Sequence, residues 1–420
     1  MYIANKNRNE SQKINLTNTV QYECKERYKM KAAFYEREIT PPLGASIPGY
    51  FNERLGSDVK DRLYVKSAVF ESEGTMAAVV AVDGCGVITS VHNAVAERVE
   101  KFTGIKKENL IVHFIHTHTG IPRMSVLPKS PIAQDAEKGY FEVVTRLIAD
   151  CVTLAYKRLE ECNLSYGCGN VSGISFCRDY YMKNGTPQTN PTRCDENIER
   201  PVAEVDTSLP VLFVTDKNGT PKGALINFGC HSDCVGGTEY SGDFSSVLSK
   251  NMKKQFGNDF VSLYMMAPAG NVNHFDVSKK EDSPDHYIMM GETMFGEAVK
   301  VIAKAQRIDD ENLSVKAKWL DMPSREILEE AIKEAQHIVD TVKMQEGVKL
   351  AADGTNPEQY NLAMSKSLLN AAKGPKSYEV LIQAIRIGDF MLYSMPGEPY
   401  LEYGLMLKEK LSPGFRDSCM

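Results

Sequence analysis

The chain has 420 residues, 42% of them hydrophobic and 25% charged, with a formal net charge of -6 and a pI near 5.9. This composition excludes collagen-like, mucin-like and wholly disordered chains, and a mild acidity without any Lys/Arg-rich block gives nucleic acid no electrostatic footing. No apolar run reaches the length of a bilayer span: the longest begins at Met76, is cut by Asp83, and reads as a buried strand.

The first 29 residues are polar and lack apolar periodicity, so they are expected to form a disordered extension ahead of one large domain over 30–420. They also lack the apolar core of a secretory signal. A cytoplasmic location with the ten cysteines reduced is therefore expected. Beyond Met30, period-two alternation from Arg62 to Glu71 and the apolar run from Met76 predict two strands. Val91, Ala94, Val95 and Val99 share one face of a helix over Val87–Phe102. A strand over Leu110–His116 and an amphipathic helix over Tyr140–Leu159 follow. Further strands fit Val211–Val214, Ala224–Phe228, Phe260–Met266, Leu313–Leu320, Val380–Ile387 and Met391–Met395. Further helices fit Phe244–Phe256, His286–Ala305, Arg325–Lys343 and Tyr400–Leu411. The stretch from Asp179 to Glu204, rich in Asn, Thr, Pro and Arg, is expected to be a structureless insertion, either functional or mobile. Interleaved strands and helices define an α/β class, with a mixed sheet flanked by helices.

Four places could carry chemistry, and each has a plain structural reading beside the functional one. His116 and His118 stand two apart on an expected strand end, so both can address one point; they are either metal-site imidazoles or buried rings satisfied by carbonyls. His231 ends another strand. Its neighbours Cys230 and Cys234 have zinc-like spacing, but no second matching Cys pair exists to close a four-ligand site, so small buried hydrophobes are the simpler reading. Asp243 in Ser241-Gly242-Asp243 fits a helix N-cap. The loop Gly270-Asn271-Val272-Asn273-His274 is either a polar turn or a binding loop, and Glu398 is either a helix first-turn acid or a carboxylate ligand. Two His and one Glu would make an open catalytic zinc site. His92, His286 and His337 lie in helical stretches, and His113 points to the strand face opposite His116, so none of the four is assigned a role.

Taken together these segments resemble the neutral/alkaline non-lysosomal ceramidase family, in particular its short bacterial members. The likeness runs through Ile39-Thr-Pro-Pro-Leu-Gly44, Gly49-Tyr50, Asp83-Gly-Cys-Gly86, His116-Thr-His-Thr-Gly120, Cys177-Arg178, Thr189-Asn190-Pro191, His231, Ser241-Gly-Asp243 and Met395-Pro-Gly-Glu398. What the resemblance implies is a zinc amidohydrolase. His116, His231 and Glu398 would bind zinc, His118 would assist the oxyanion or shuttle a proton, and Arg178 would bind a polar substrate group. The substrate would be a small-molecule or lipid-like amide, as in sphingolipid metabolism. The family's Ser in a Gly-Asp-Val-Ser-Pro loop is replaced here, in Gly270-Asn-Val-Asn-His274, by Asn273, so Asn273 is assigned to catalysis and Asn271 and His274 to substrate contact. The family's Tyr ligand, beyond Pro-Gly-Glu, has no counterpart by motif, and a strand is expected to be starting near Arg416, so the domain is expected to be incomplete at its C-terminal end. Two rival readings share these residues: an esterase or phosphoesterase in which Asp243 and Asn271 support a second metal, and a non-catalytic metal-binding remnant.

Overall fold

The computed structural model describes residues 29–50, 52–86, 88–123, 130–310, 312–345 and 356–411. Residues 1–28 of the expected extension and the expected strand start near 416 lie outside the described residues.

The main sheet is built from β1 (Lys31–Glu38), β2 (Tyr64–Ser72), β3 (Thr75–Val82), β4 (Leu110–Phe114), β5 (Glu160–Asn170), β6 (Ser208–Asp216), β7 (Pro221–Phe228) and β8 (Val261–Met266), in the order β8-β7-β6-β5-β1-β2-β3-β4, with Gln306–Arg307 added beside β5. The middle pairs are antiparallel, while the two end pairs, β3 with β4 and β7 with β8, are parallel. A parallel pair needs a crossover. Helix α1 (Thr89–Thr103) supplies it between β3 and β4, and α3 (Phe244–Phe256) between β7 and β8. Helix α1 buries Val95, Ala96 and Val99 and stops at Gly104, whose φ of 78° gives the left-handed turn that closes many helices.

β3 is buried on both faces because two cores meet it. Ala77, Val79 and Ala81 join one cluster with Phe70, Phe228, Phe244 and Met294. Ala78, Val80 and Val82 join a second with Val144, Ile148 and Val152 of α2 (Tyr140–Tyr156). The continuous apolar run that begins at Met76 follows from this double burial. Each fully buried Val, Ile, Phe or Met side chain among these contributes about 1.5–3 kcal/mol, and an alanine about 0.8 kcal/mol or less. β8 packs across from β2 and β3. At its end the Met266 N–H donates to Nε2 of His113 at 2.9 Å, so the histidine set aside in the sequence joins the two parallel edges.

Two expectations are corrected. Asp179–Glu204 is not structureless: Asp179–Met182, Pro187–Thr189 and Ile198–Pro201 form a three-stranded antiparallel sheet, and Tyr180 and Met182 pack on Val277. Its polar composition hid it because the sheet buries little on one face. A helix over Pro357–Ala372, packed on Glu329–Thr341, also has no counterpart among the expected elements. These helices accompany an antiparallel sheet of Leu313–Pro323, Ser377–Ile387 and Phe390–Tyr393, fastened to the main sheet where Gln383 Nε2 donates to the carbonyls of Lys107, Glu108 and Leu110. The large mixed sheet with covering helices is the expected α/β arrangement.

Candidate metal centre

The two parallel edges place the C-terminal ends of β3, β4, β7 and β8 together, and the loops leaving them carry the polar residues. The chain does not use strand pleat to bring His116 and His118 together. β4 ends at Phe114, and His116 takes a left-handed φ of 61°. That conformation is costly for a non-glycine residue and accumulates at functional sites. Asn190 (φ 48°) and Asp243 (φ 58°) adopt it nearby in the same loop system. Buried hydroxyls lock the loops: Ser232 donates to the Ile115 carbonyl at 2.9 Å, Thr117 donates to that of Ser241 at 2.8 Å, and the His118 N–H donates to that of Ser232 at 3.0 Å.

The rings of His116 and His231 lie 4.8 Å apart, nearly perpendicular, and both residues are buried. His116 Nδ1 is 2.9 Å from the Cys85 carbonyl, and His231 Nδ1 is 3.0 Å from the carbonyls of both Ala269 and Val272. Each Nδ1 therefore carries the proton, and each Nε2 presents a lone pair to the same space. There Glu398 Oε2 stands 3.7 Å from His116 Nε2 and 4.0 Å from His231 Nε2. Burial above all, and then the neighbouring imidazoles, hold both rings below their ordinary pKa and so neutral. One ligand atom from each of His116, His231 and Glu398 falls within 4.8 Å of the others. Neutral imidazoles oriented by backbone carbonyls, with a carboxylate opposite, are a donor set that fits a divalent metal with positions left open.

His118 is next to this set, its ring 5.1 Å from that of His116, with Nδ1 3.3 Å from Asp233 Oδ1. Tyr50 donates to the same Asp233 oxygen at 3.1 Å, and the Arg54 guanidinium stacks 3.8 Å over the Tyr50 ring while donating to the carbonyls of Pro48 and His118. Asp233 and Arg54 carry no assignment from the sequence, and Tyr50 and Cys85 enter there only within motifs. The available signal was the Asp two residues beyond His231.

The remaining candidates separate. Val272–Asn273 pairs with Phe176–Cys177, so Arg178 and Asn273 flank one short ladder. Arg178 lies close enough to depress the His231 pKa further, and Asn273 Nδ2 reaches Asn190 Oδ1 at 3.4 Å. Asn271 is 1% exposed, and both ends of its amide are engaged. Oδ1 accepts from the Leu401 N–H at 2.9 Å, and Nδ2 donates to Glu402 at 3.0 Å. It is therefore not free for the substrate contact expected of it, because it holds the start of the helix Leu401–Leu411. His274 is turned away toward Cys234 and His286. Asp243 caps α3, and both its oxygens accept backbone N–H groups, from Phe244 at 2.7 Å and Val235 at 2.8 Å.

The fold and this site define an α/β protein with a His-His-carboxylate candidate metal centre at the ends of its parallel strands. The chain belongs to the neutral/alkaline non-lysosomal ceramidase family, whose N-terminal region matches residues 37–274. It is similar to neutral ceramidase B of Dictyostelium discoideum, 25% identical over 271 residues, which span 61% of this chain and 36% of that protein. It is also similar to neutral ceramidase A of the same organism, 24% identical over 288 residues, spanning 65% and 38%. The chain thus matches little more than a third of the length of these relatives. The structure of neutral ceramidase from Pseudomonas aeruginosa superposes with a TM-score of 0.66 at 20% identity, covering 92% of this chain and 65% of that one, and shares its fold. Among the described residues no helix is long and apolar enough to cross a membrane.

Proposed function

We propose that the chain is a zinc-dependent hydrolase of the amide bond in an N-acyl amine, with N-acyl lipids of the ceramide kind as the first candidates. The observation that carries this reading is the pair of Nε2 atoms on His116 and His231, each backed by a backbone carbonyl and facing Glu398. Zinc held by these three residues would polarise the amide carbonyl and acidify a water toward neutrality. His118, its Nδ1 turned to Asp233, keeps Nε2 free to hand a proton to the departing amine nitrogen, which otherwise leaves poorly. Tyr50 and Arg54 hold the Asp233–His118 pair in place. Arg178 and Asn273, on the adjoining ladder, would contact a polar group of the substrate. Asn273 stands where the resemblance leads one to expect a serine, so the amine-side group recognised here is expected to differ from that of ceramide itself. Asn271 and His274 take positioning roles in this reading.

The name of the Dictyostelium relatives supports an amide substrate. A binuclear phosphoesterase gains nothing from the geometry, since Asp243 and Asn271 are both occupied by backbone and helix contacts. We place the protein in the reducing cytoplasm, where its cysteines, Cys151 and Cys230 among the buried ones, would stay as thiols. Metal analysis of the purified protein, coupled to a panel of N-acyl amines that includes ceramide, tests the proposal. Zinc bound in wild type, and both zinc and hydrolysis lost in His116→Ala, are expected. Hydrolysis undiminished in that variant would overturn the assignment.

A further inference from the structure

A second cluster of soft ligands lies outside the centre described above. Cys234 leaves the His231 loop, His274 ends the loop after β8, and His286 opens the helix His286–Ile302. One ligand atom from each lies within 4.8 Å of the others. His274 is 9% exposed, and its Nδ1 is buried with no hydrogen-bond partner. A buried ring nitrogen normally finds a partner, so an unpaired one calls for an explanation. The two imidazole centroids are 5.3 Å apart. His286 Nε2 lies 3.0 Å from the His274 carbonyl, which fixes its proton there and leaves the Nδ1 lone pair available. Cys234 Sγ also rests 3.3 Å from the Met290 thioether, with the Asp243 carboxylate on another side of the thiol.

We propose that Cys234, His274 and His286 bind a second metal ion of the zinc type, through one thiolate and two neutral imidazoles, with its fourth position taken by water. Thiolate and imidazole together select zinc over hard cations such as magnesium or calcium, which prefer oxygen. Binding exchanges the Cys234 thiol proton for the metal and releases that proton to solvent. The ion would tie together three segments that are separate in sequence, two of which carry His231 and Asn273. It therefore acts as a brace behind the first site.

Cobalt substitution of the 420-residue chain tests this, because thiolate-bound cobalt gives a near-ultraviolet charge-transfer band that a nitrogen-oxygen site lacks. Cys85 lies beside His116, so the measurement is made in a Cys85→Ser background. Two cobalt equivalents with the band are expected. In His116→Ala/His231→Ala one equivalent and the whole band remain, while Cys234→Ser and His286→Gln each abolish the band and retain the other equivalent. Absence of the band from the Cys85→Ser protein, or its persistence in Cys234→Ser, overturns the proposal. Loss of all cobalt in His116→Ala/His231→Ala also overturns it and leaves the first site standing. Loss of all cobalt in Cys234→Ser would instead leave this site standing, and it removes the first only if the Cys85→Ser protein itself binds a single equivalent.

Discussion

His118 Nδ1 faces Asp233 Oδ1 across 3.3 Å, and the same oxygen accepts from the Tyr50 hydroxyl at 3.1 Å. Burial pushes the Asp233 carboxyl up, but the facing imidazole of His118, then His274 and Tyr50, bring it below its ordinary range on balance, so it is ionised at neutral pH. An ionised partner orients the ring and gives a transferred proton a fixed path. His118→Gln is expected to lower kcat by about 10²–10⁴-fold, the usual contribution of a positioned acid or base. Asp233→Asn is expected to cost roughly 10–100-fold and to move the pH-rate profile, while the metal content stays at the wild-type level. An unchanged profile in Asp233→Asn would show that the pair has no part in proton transfer.

Gly49 separates stability from alignment. Its φ is 101°, and a Cβ placed there would meet the His118 ring at 2.5 Å. Gly49→Ala must therefore move either the backbone or the ring that Asp233 orients. A loss of activity of at least tenfold is expected, since misplacement by about 1 Å can cost as much as 10²-fold. Steady-state kinetics beside a thermal melt check this. Activity close to wild type would place His118 outside the chemistry.

Asn271 is the hinge between the histidine loops and the segment bearing Glu398. Its amide engages Leu401 and Glu402, and its neighbour Gly270 donates to the Pro399 carbonyl at 2.8 Å, with no room for a Cβ because the Glu398 carbonyl would lie 2.4 Å away. Asn271→Ala leaves the Leu401 N–H unsatisfied in a buried setting, a cost of about 1–3 kcal/mol. A lower Tm and weaker metal retention in a chelator titration are both expected. Weaker retention without a change in Tm would assign Asn271 to the metal directly.

The strands of the parallel edges were legible because burial on both faces writes continuous apolar runs, as from Met76 to Val82 and from Ala224 to Phe228. The histidines were legible because they follow such strands. What the sequence hid was convergence through loops. The left-handed turn at His116, the approach of Asp233 to His118, and the use of Asn271 as a helix anchor depend on contacts between residues more than 100 positions apart, which no local pattern encodes. The sheet within Asp179–Glu204 was hidden for a related reason, since its strands alternate too little to stand out from a polar loop.

His113 ties acid stability to the joint between β4 and β8. Its Nε2 accepts the Met266 N–H, a role open only to the neutral ring, and burial followed by repulsion from His116 lowers its pKa to about 4 from an unfolded value of 6.5. Between those values the unfolded chain binds a proton that the folded chain does not. Stability from this group is therefore present above about pH 6.5 and declines as pH falls toward 4. The shift corresponds to about 3 kcal/mol, taken as on the order of 2 kcal/mol because the residue as a whole is only half-buried. Gln at this position can still accept from Met266 but cannot titrate. His113→Gln, unfolded by urea in metal-free form at pH 7 and pH 4, is expected to lose about 2 kcal/mol less stability across that interval than wild type does. Equal losses in the two proteins would mean that the folded ring takes up its proton as readily as the unfolded chain does, and that the Met266 contact does not hold it neutral.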